Sequence, residues 1–82
     1  MREFEDQEGR RWVATVGVRP GLDFKGRYYW VMRPVDDDDS EEVALSDVRW
    51  NSERTARRTL ITMSDVELRR RLRSARGRAA SV

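Results

Sequence analysis

Residues 28–32, with the sequence Tyr-Tyr-Trp-Val-Met, are the densest apolar and aromatic run in the chain. Residues 26–27 (Gly-Arg) precede this run, and residues 33–34 (Arg-Pro) follow it. Five bulky residues between turn formers are typical of a β-strand covered on both faces. We therefore predict that residues 27–33 form the central strand of a sheet. Pro34 should end this strand, because proline has no backbone N–H to donate.

The composition limits both the fold and the chemistry. The chain has 82 residues, which is enough for one domain with a small core. It contains neither cysteine nor histidine, so disulfides, thiolate zinc sites and histidine acid–base catalysis are excluded. Three tryptophans, two tyrosines and two phenylalanines argue against a disordered chain. We expect a soluble bacterial protein of the cytoplasm, since the sequence shows neither a membrane-spanning run nor a signal-peptide core.

The sequence before the central strand predicts a β-hairpin. Residues 2–6 form a short, charged edge strand around Phe4, and residues 6–9 read as a turn with Gly9 at its end. From Arg10 to Val18, apolar residues alternate as in a strand with one face towards the core. Phe4 and Trp12 should then meet across the hairpin.

The sequence after Val18 predicts two further connections and a fourth strand. A turn at 19–21 and a loop to residue 26 lead into the central strand. Residues 36–42 are an acidic segment that we expect to be solvated. A strand over about 42–46 should follow and continue, after a bend, through residues 48–50. Trp50 should fill the junction between sheet and helices.

The last third of the chain predicts two helices separated near Met63. Asn51 and Ser52 are candidate N-caps, and residues 64–67 match the capping box S-x-x-E. Gly77 is expected to end the second helix. The predicted apolar stripes are Ala56, Leu60 and Met63 on the first helix and Leu68, Leu72, Ala75 and Ala79 on the second.

These elements predict an α+β fold: a four-stranded antiparallel meander sheet followed by two C-terminal helices packed on one face. We expect a single domain over residues 1–82, with the sheet over about 2–50, the helices over about 52–76 and a tail over 77–82. The pattern leaves open which sheet face the helices cover.

No catalytic or metal-binding motif is complete. The acidic segment begins like a calcium loop, but Glu42 stands where the loop needs glycine and Val48 where it needs a bidentate glutamate. The sequence contains no G-x-S-x-G, P-loop or G-x-G-x-x-G pattern. We therefore expect no enzymatic activity, cofactor, metal or catalytic residue.

The distribution of charge is the strongest functional signal. Residues 1–53 carry 8 basic and 13 acidic side chains, a net charge of −5, whereas residues 54–82 carry nine arginines and two acids, a net charge of +7. Such a basic helical segment indicates binding to an acidic partner or to phosphates, and a solvated helix face is the alternative explanation. The candidate partner-binding arginines are Arg54, Arg57, Arg58, Arg69, Arg70, Arg71, Arg73 and Arg76.

The aromatic residues have two interpretations. Trp12, Trp30 and Trp50 favour a core role, because a small domain needs large side chains to bury. Aromatics on an uncovered sheet face would instead mark a partner site, and Tyr29 and Trp50 are our candidates. The preferred hypothesis is a non-catalytic accessory subunit of a larger protein assembly, including one peripheral to a membrane complex. The alternative is a small nucleic-acid-binding protein.

Two motifs also carry a family resemblance. The opening D-x-x-G-R-x-W-x-A-x-V, at residues 6–16, and the pattern L-x-x-x-S-x-x-E-L, at residues 60–68, are similar to those of short uncharacterised bacterial proteins. The resemblance covers most of the chain and implies a fold built on a hairpin and a capped helix. It implies no function and no site.

Overall fold

A computed structural model describes residues 1–19, 26–36 and 41–80 of the chain. Residues 20–21 of the predicted turn, the loop to residue 25, residues 37–40 of the acidic segment and residues 81–82 lie outside the described residues. The described elements are the strands β1 (Arg2–Glu5), β2 (Arg11–Val18), β3 (Tyr28–Pro34) and β4 (Val43–Trp50), and the helices α1 (Glu53–Thr62) and α2 (Asp65–Ala80).

The strands form an antiparallel sheet in the order β1-β2-β3-β4, which confirms the predicted meander and α+β class. Phe4 pairs with Trp12 across the first hairpin, as predicted, and both side chains are buried. β3 is the central strand together with β2, and Pro34 is its last residue. The sheet therefore follows the alternation of the sequence closely.

The fourth strand contains the one irregular register of the described sheet. Trp30 pairs with Leu45 and Tyr28 pairs with Trp50, so β4 uses five residues where β3 uses two. This bulge is the bend that the sequence predicted between the two halves of β4. It brings Trp50 back to the edge of the core, immediately before the helices begin.

The predicted caps define where both helices begin. The Thr55 backbone N–H donates to Ser52 Oγ at 3.4 Å, and the Glu67 backbone N–H donates to Ser64 Oγ at 3.2 Å. Met63 adopts an extended conformation between them, so the break lies where the sequence predicted it. Each hydroxyl satisfies a backbone donor that has no partner within its own helix.

The end of α2 differs from the prediction. The helix continues through Gly77 to Ala80, so the prediction that Gly77 ends it and starts a tail is wrong. Glycine in a helix costs only about 1 kcal/mol relative to alanine, which the following alanines can offset. Among the described residues, no atom outside the helix lies within 4 Å of a Cβ placed at Gly77, so none of them interrupts the helix there.

Both helices pack on the sheet face that carries Trp12, Trp30 and Met32. These three side chains are at most 1% exposed, and they form one core with the buried apolar residues of both helices. The helical members of the core are Leu60, Leu68, Leu72 and Ala75, with Met63 partly buried against it. The predicted stripes are confirmed except at Ala79, whose side chain lies outside the description.

Gly26 has the closest contacts of the described glycines. Its φ is +97°, and a Cβ at this position would collide with the carbonyl group of Trp50 and approach the Asn51 nitrogen to 3.0 Å. Only glycine combines a left-handed conformation with so close an approach of two chain segments. Gly26 thus fixes the start of β3 against the end of β4.

Replacing Gly26 by alanine should lower the free energy of unfolding by about 3 kcal/mol, because backbone strain and steric overlap add. Gly77→Ala is the matched control and should raise it by about 0.5–1 kcal/mol, since this helical glycine has free space around its Cβ position. Urea denaturation followed by tryptophan fluorescence measures both changes. Equal stability of the two variants would contradict the assigned role of Gly26.

Candidate functional site

Trp50 contributes to the core as well as to the surface. Its ring stacks on Trp30, with the centroids 4.7 Å apart and the planes 24° from parallel. Trp50 is partly buried and packs against the core cluster. The prediction that it fills the junction between sheet and helices is confirmed. Its predicted role in partner binding stays a prediction, and only the part of Trp50 that is still exposed could contact a partner.

Two arginines of the candidate set are used inside the fold. The Arg71 guanidinium lies over the ring of Trp30, with its carbon 5.5 Å from the centroid, and Arg71 Nε contacts Glu67 at 3.2 Å. Arg69 Nε donates to the backbone carbonyl of Glu5 at 2.7 Å, which ties α2 to the end of β1. Their positive charges therefore help to hold α2 on the sheet.

Two guanidinium groups lie over the ring of Trp12 at the hairpin end of the sheet. The guanidinium carbon of Arg10 is 5.8 Å from its ring centroid, and that of Arg76 is 5.3 Å away. Arg10 also contacts Glu41 at 3.0 Å and Asp36 at 3.4 Å. Both carboxylates belong to the acidic segment, so its described ends lie against the β1–β2 hairpin.

Asp6 organises the turn between β1 and β2. Its Oδ1 accepts hydrogen bonds from the backbone N–H groups of Glu8 and Arg10 at 2.9 and 3.0 Å, and its Oδ2 accepts one from Trp12 Nε1 at 2.9 Å. Burial opposes ionisation, but these hydrogen bonds and the charge of Arg76 outweigh it and lower the pKa of Asp6 below its ordinary value of 3.8. The spacing D-x-x-G-R-x-W thus has a structural explanation.

The remaining arginines of the set lie on the exposed side of the helices. Arg57 pairs with Glu53 at 2.9 Å, and Arg70 pairs with Glu67 at 3.4 Å, both within one helix. Such exposed pairs contribute little stability. No ion pair to a described residue holds the side chains of Arg54, Arg58 and Arg73. Arg76 is also exposed but lies over Trp12, so we keep the name exposed helix arginines for Arg54, Arg57, Arg58, Arg70 and Arg73.

The opposite side of the sheet has an apolar centre bordered by charged residues. No described element packs against it, since the helices cover the face that carries Trp30. Tyr29 and Val31 close over Gly17: a Cβ there would lie 3.1 Å from Tyr29 Cζ and 3.0 Å from Val31 Cγ2. Both side chains are half-buried by their neighbours alone. We call the centre of this side the free sheet face, formed by Val13, Thr15, Gly17, Tyr29, Val31 and Ala44. The same side also carries the charged residues Glu3, Glu5, Arg11 and Arg33.

The structure divides the predicted partner-binding residues into two groups. All the candidate arginines belong to the helix layer on one side of the sheet, and Tyr29 belongs to the other side. Trp50 lies on the helix side, against Trp30. One partner surface cannot contact Tyr29 and the helix layer together without passing around the sheet edge.

Sequence reasoning missed the hairpin end as a possible site. The turn at residues 6–9 and the second half of α2 are about 65 residues apart in the chain, and nothing in the local pattern indicates that they meet. The motif D-x-x-G-R-x-W was visible, but its polar contacts depend on where the Trp12 indole points. Only the packed sheet shows this.

Two other classes of site have no support in the described residues. No group of three or more acidic side chains is placed there to hold a metal ion. Neither described helix combines the length and the apolar character that crossing a bilayer requires.

Comparisons with known proteins give no relative. The chain matches no family model, no curated protein and no solved structure. The resemblance to short bacterial proteins therefore stays a prediction, and function has to be argued from the surfaces alone.

Replacing Asp6 by asparagine tests the turn. Because its pKa is lower in the folded protein than the value of about 3.9 in the unfolded chain, the carboxylate stabilises the fold above about pH 4. This contribution is lost as the pH falls through the folded-state pKa. Asp6→Asn should lower the free energy of unfolding by about 1 kcal/mol at pH 7 and by less near pH 2.

Chemical denaturation at pH 7, 4 and 2 measures the effect. Glu8→Gln is the control, because Glu8 contributes only its backbone N–H to the turn and should change stability by less than about 0.5 kcal/mol. A difference between wild type and Asp6→Asn that stayed constant from pH 7 to 2 would show that the ionised carboxylate has no special role.

Proposed function

We propose that this domain is a non-catalytic adaptor subunit that joins two components of a larger protein assembly in the bacterial cytoplasm. The observation that carries the proposal is the position of two different surfaces on opposite sides of one sheet. The exposed helix arginines form one surface and the free sheet face forms the other. A domain of this shape can contact two partners at once without their competing for the same residues.

The helix side favours an acidic partner. Arg54 and Arg58 lie four residues apart on α1, and both guanidinium groups project from the exposed side of the helix. Arginine forms bidentate contacts with carboxylates and is enriched at protein interfaces. Charge complementarity of this kind mainly speeds association and excludes wrong partners. The matching surface is a cluster of carboxylates on the partner.

The sheet side favours an apolar contact. Tyr29 and Val31 stand at the centre of the free sheet face, on the central strand β3. A tyrosine that is already held by its neighbours loses little conformational freedom on binding, which is typical of residues that dominate binding energy. A partner that buries this ring would gain from it without reorganising the sheet.

The separation of Tyr29 from the helix arginines argues against the binding of a single-stranded nucleic acid to the helices. Binding of that kind combines phosphate contacts with bases stacked on exposed aromatic rings. Trp12 and Trp30 are buried, and Tyr29 lies on the far side of the sheet from the helix arginines. Trp50 is the partly exposed tryptophan on the helix side, and its ring already stacks on Trp30. Phosphate binding by the arginines alone is therefore the competing outcome in the experiment.

The test is affinity purification of the tagged protein in mild detergent and nuclease, followed by mass spectrometry, because the assembly can include membrane subunits. Arg54→Glu/Arg58→Glu should release one set of partner proteins. Tyr29→Ala should release another set, with a loss of about 2 kcal/mol in affinity for a partner that buries the ring. Each variant should retain the partners that the other loses.

Arg19→Glu/Arg27→Glu is the matched control, since it makes the same change in net charge at exposed positions of the β2–β3 end. It should retain the helix-side partners. If nuclease removes all bound material, or if the affinity for duplex DNA falls with salt at a slope near −0.9 per phosphate, the protein binds nucleic acid and the adaptor proposal fails.

A further inference from the structure

A cleft of about 520 Å³ lies between the β1–β2 turn and the second half of α2. Its volume is within the range of small-ligand sites, and it is separate from the free sheet face. The geometry points to a binding site for a small phosphate monoester in this cleft. The lining residues that matter are Asp6, Gln7, Arg69, Leu72, Arg73 and Arg76.

One wall of the cleft presents three guanidinium groups. Arg69, Arg73 and Arg76 are spaced four and three residues apart, so they lie along one side of α2. Arg69 is held by its hydrogen bond to the Glu5 carbonyl, and Arg76 is held over the ring of Trp12. Two of the three are therefore positioned before a ligand arrives, which reduces the entropy lost on binding.

Arg73 lies between these two held arginines. Its side chain is exposed, and no hydrogen bond or ion pair to a described residue occupies it. The other N–H groups of the flanking guanidiniums can join it around one ligand group. A ligand oxyanion would meet charge-assisted donors from up to three side chains.

The wall formed by the β1–β2 turn does not completely neutralise the charge of these arginines. Both oxygens of Asp6 already accept hydrogen bonds from the turn and from the Trp12 indole. Asp6 and Glu8 together oppose three arginines, which leaves the lining with a net charge of +1. The side of the cleft formed by α2 is thus the side that attracts an anion.

A phosphate monoester fits this wall better than a carboxylate. It carries a charge of about −1.5 to −2 at pH 7 and three acceptor oxygens, enough for three guanidinium groups. The buried Leu72 and the turn residue Gln7 offer an apolar and a polar contact to the rest of the ligand. The inference does not rest on the adaptor role, whose test substitutes Arg54 and Arg58.

The experiment is a titration of the full chain with phenyl phosphate at constant ionic strength, followed by the ¹⁵N–¹H signals of arginine Nε and tryptophan Nε1. We expect saturable shifts of Arg73 Nε, Arg76 Nε and Trp12 Nε1, with the signals of Arg54 and Arg58 unchanged. Arg73→Gln should weaken binding about tenfold, and Arg73→Lys should weaken it less.

Arg70→Gln is the matched control, because it removes the same charge from the same helix outside the cleft and should retain the affinity. Equal weakening by Arg70→Gln and Arg73→Gln would overturn the site in favour of general charge attraction. Benzoate and inorganic phosphate serve as comparison probes. Benzoate that bound as tightly as phenyl phosphate would overturn the assignment of the phosphate group.

Discussion

The structure depends on how Trp30 is buried. Its ring stacks on Trp50, its Nε1 donates to the Ala56 carbonyl at 3.1 Å, and the Arg71 guanidinium covers it. One side chain on β3 thereby contacts β4, α1 and α2. A buried indole N–H without a partner would destabilise the fold, so α1 has to present a carbonyl at this position. The bulge in β4 lies between the partners of Trp30 and Tyr28, and Trp50 beyond it stacks on the Trp30 ring.

A second tryptophan organises the other end of the sheet in a similar way. Trp12 is fully buried, donates to Asp6, and lies under the guanidinium groups of Arg10 and Arg76. Arginine can cover an aromatic ring and keep its N–H groups in water. This explains how a chain that is 39% charged can cover its core. Some of its arginines pack their guanidinium groups against the tryptophan rings.

The functional surfaces are what remains after this packing. Arg69, Arg71 and Arg76 each hold a contact within the fold, whereas Arg54, Arg58 and Arg73 hold no ion pair to a described residue. The basic segment is therefore divided between a structural and an exposed part. The exposed part supports the proposed adaptor role, and Arg73, between two held arginines, supports the proposed anion site. Tyr29 is separated from both by the sheet.

The sequence by itself determined the four strands, the two helices, their caps and the pairing of Phe4 with Trp12, because these follow from local periodicity and from short hairpin connections. It also determined the excess of positive charge after residue 53. Local pattern could not show that α2 continues through Gly77, since a glycine can either end a helix or lie within it. Only the tertiary structure decided which sheet face is covered, which arginines lie on tryptophan rings and that the turn at residues 6–9 meets α2. These depend on contacts between residues far apart in the chain, where the direction of each side chain is set by packing.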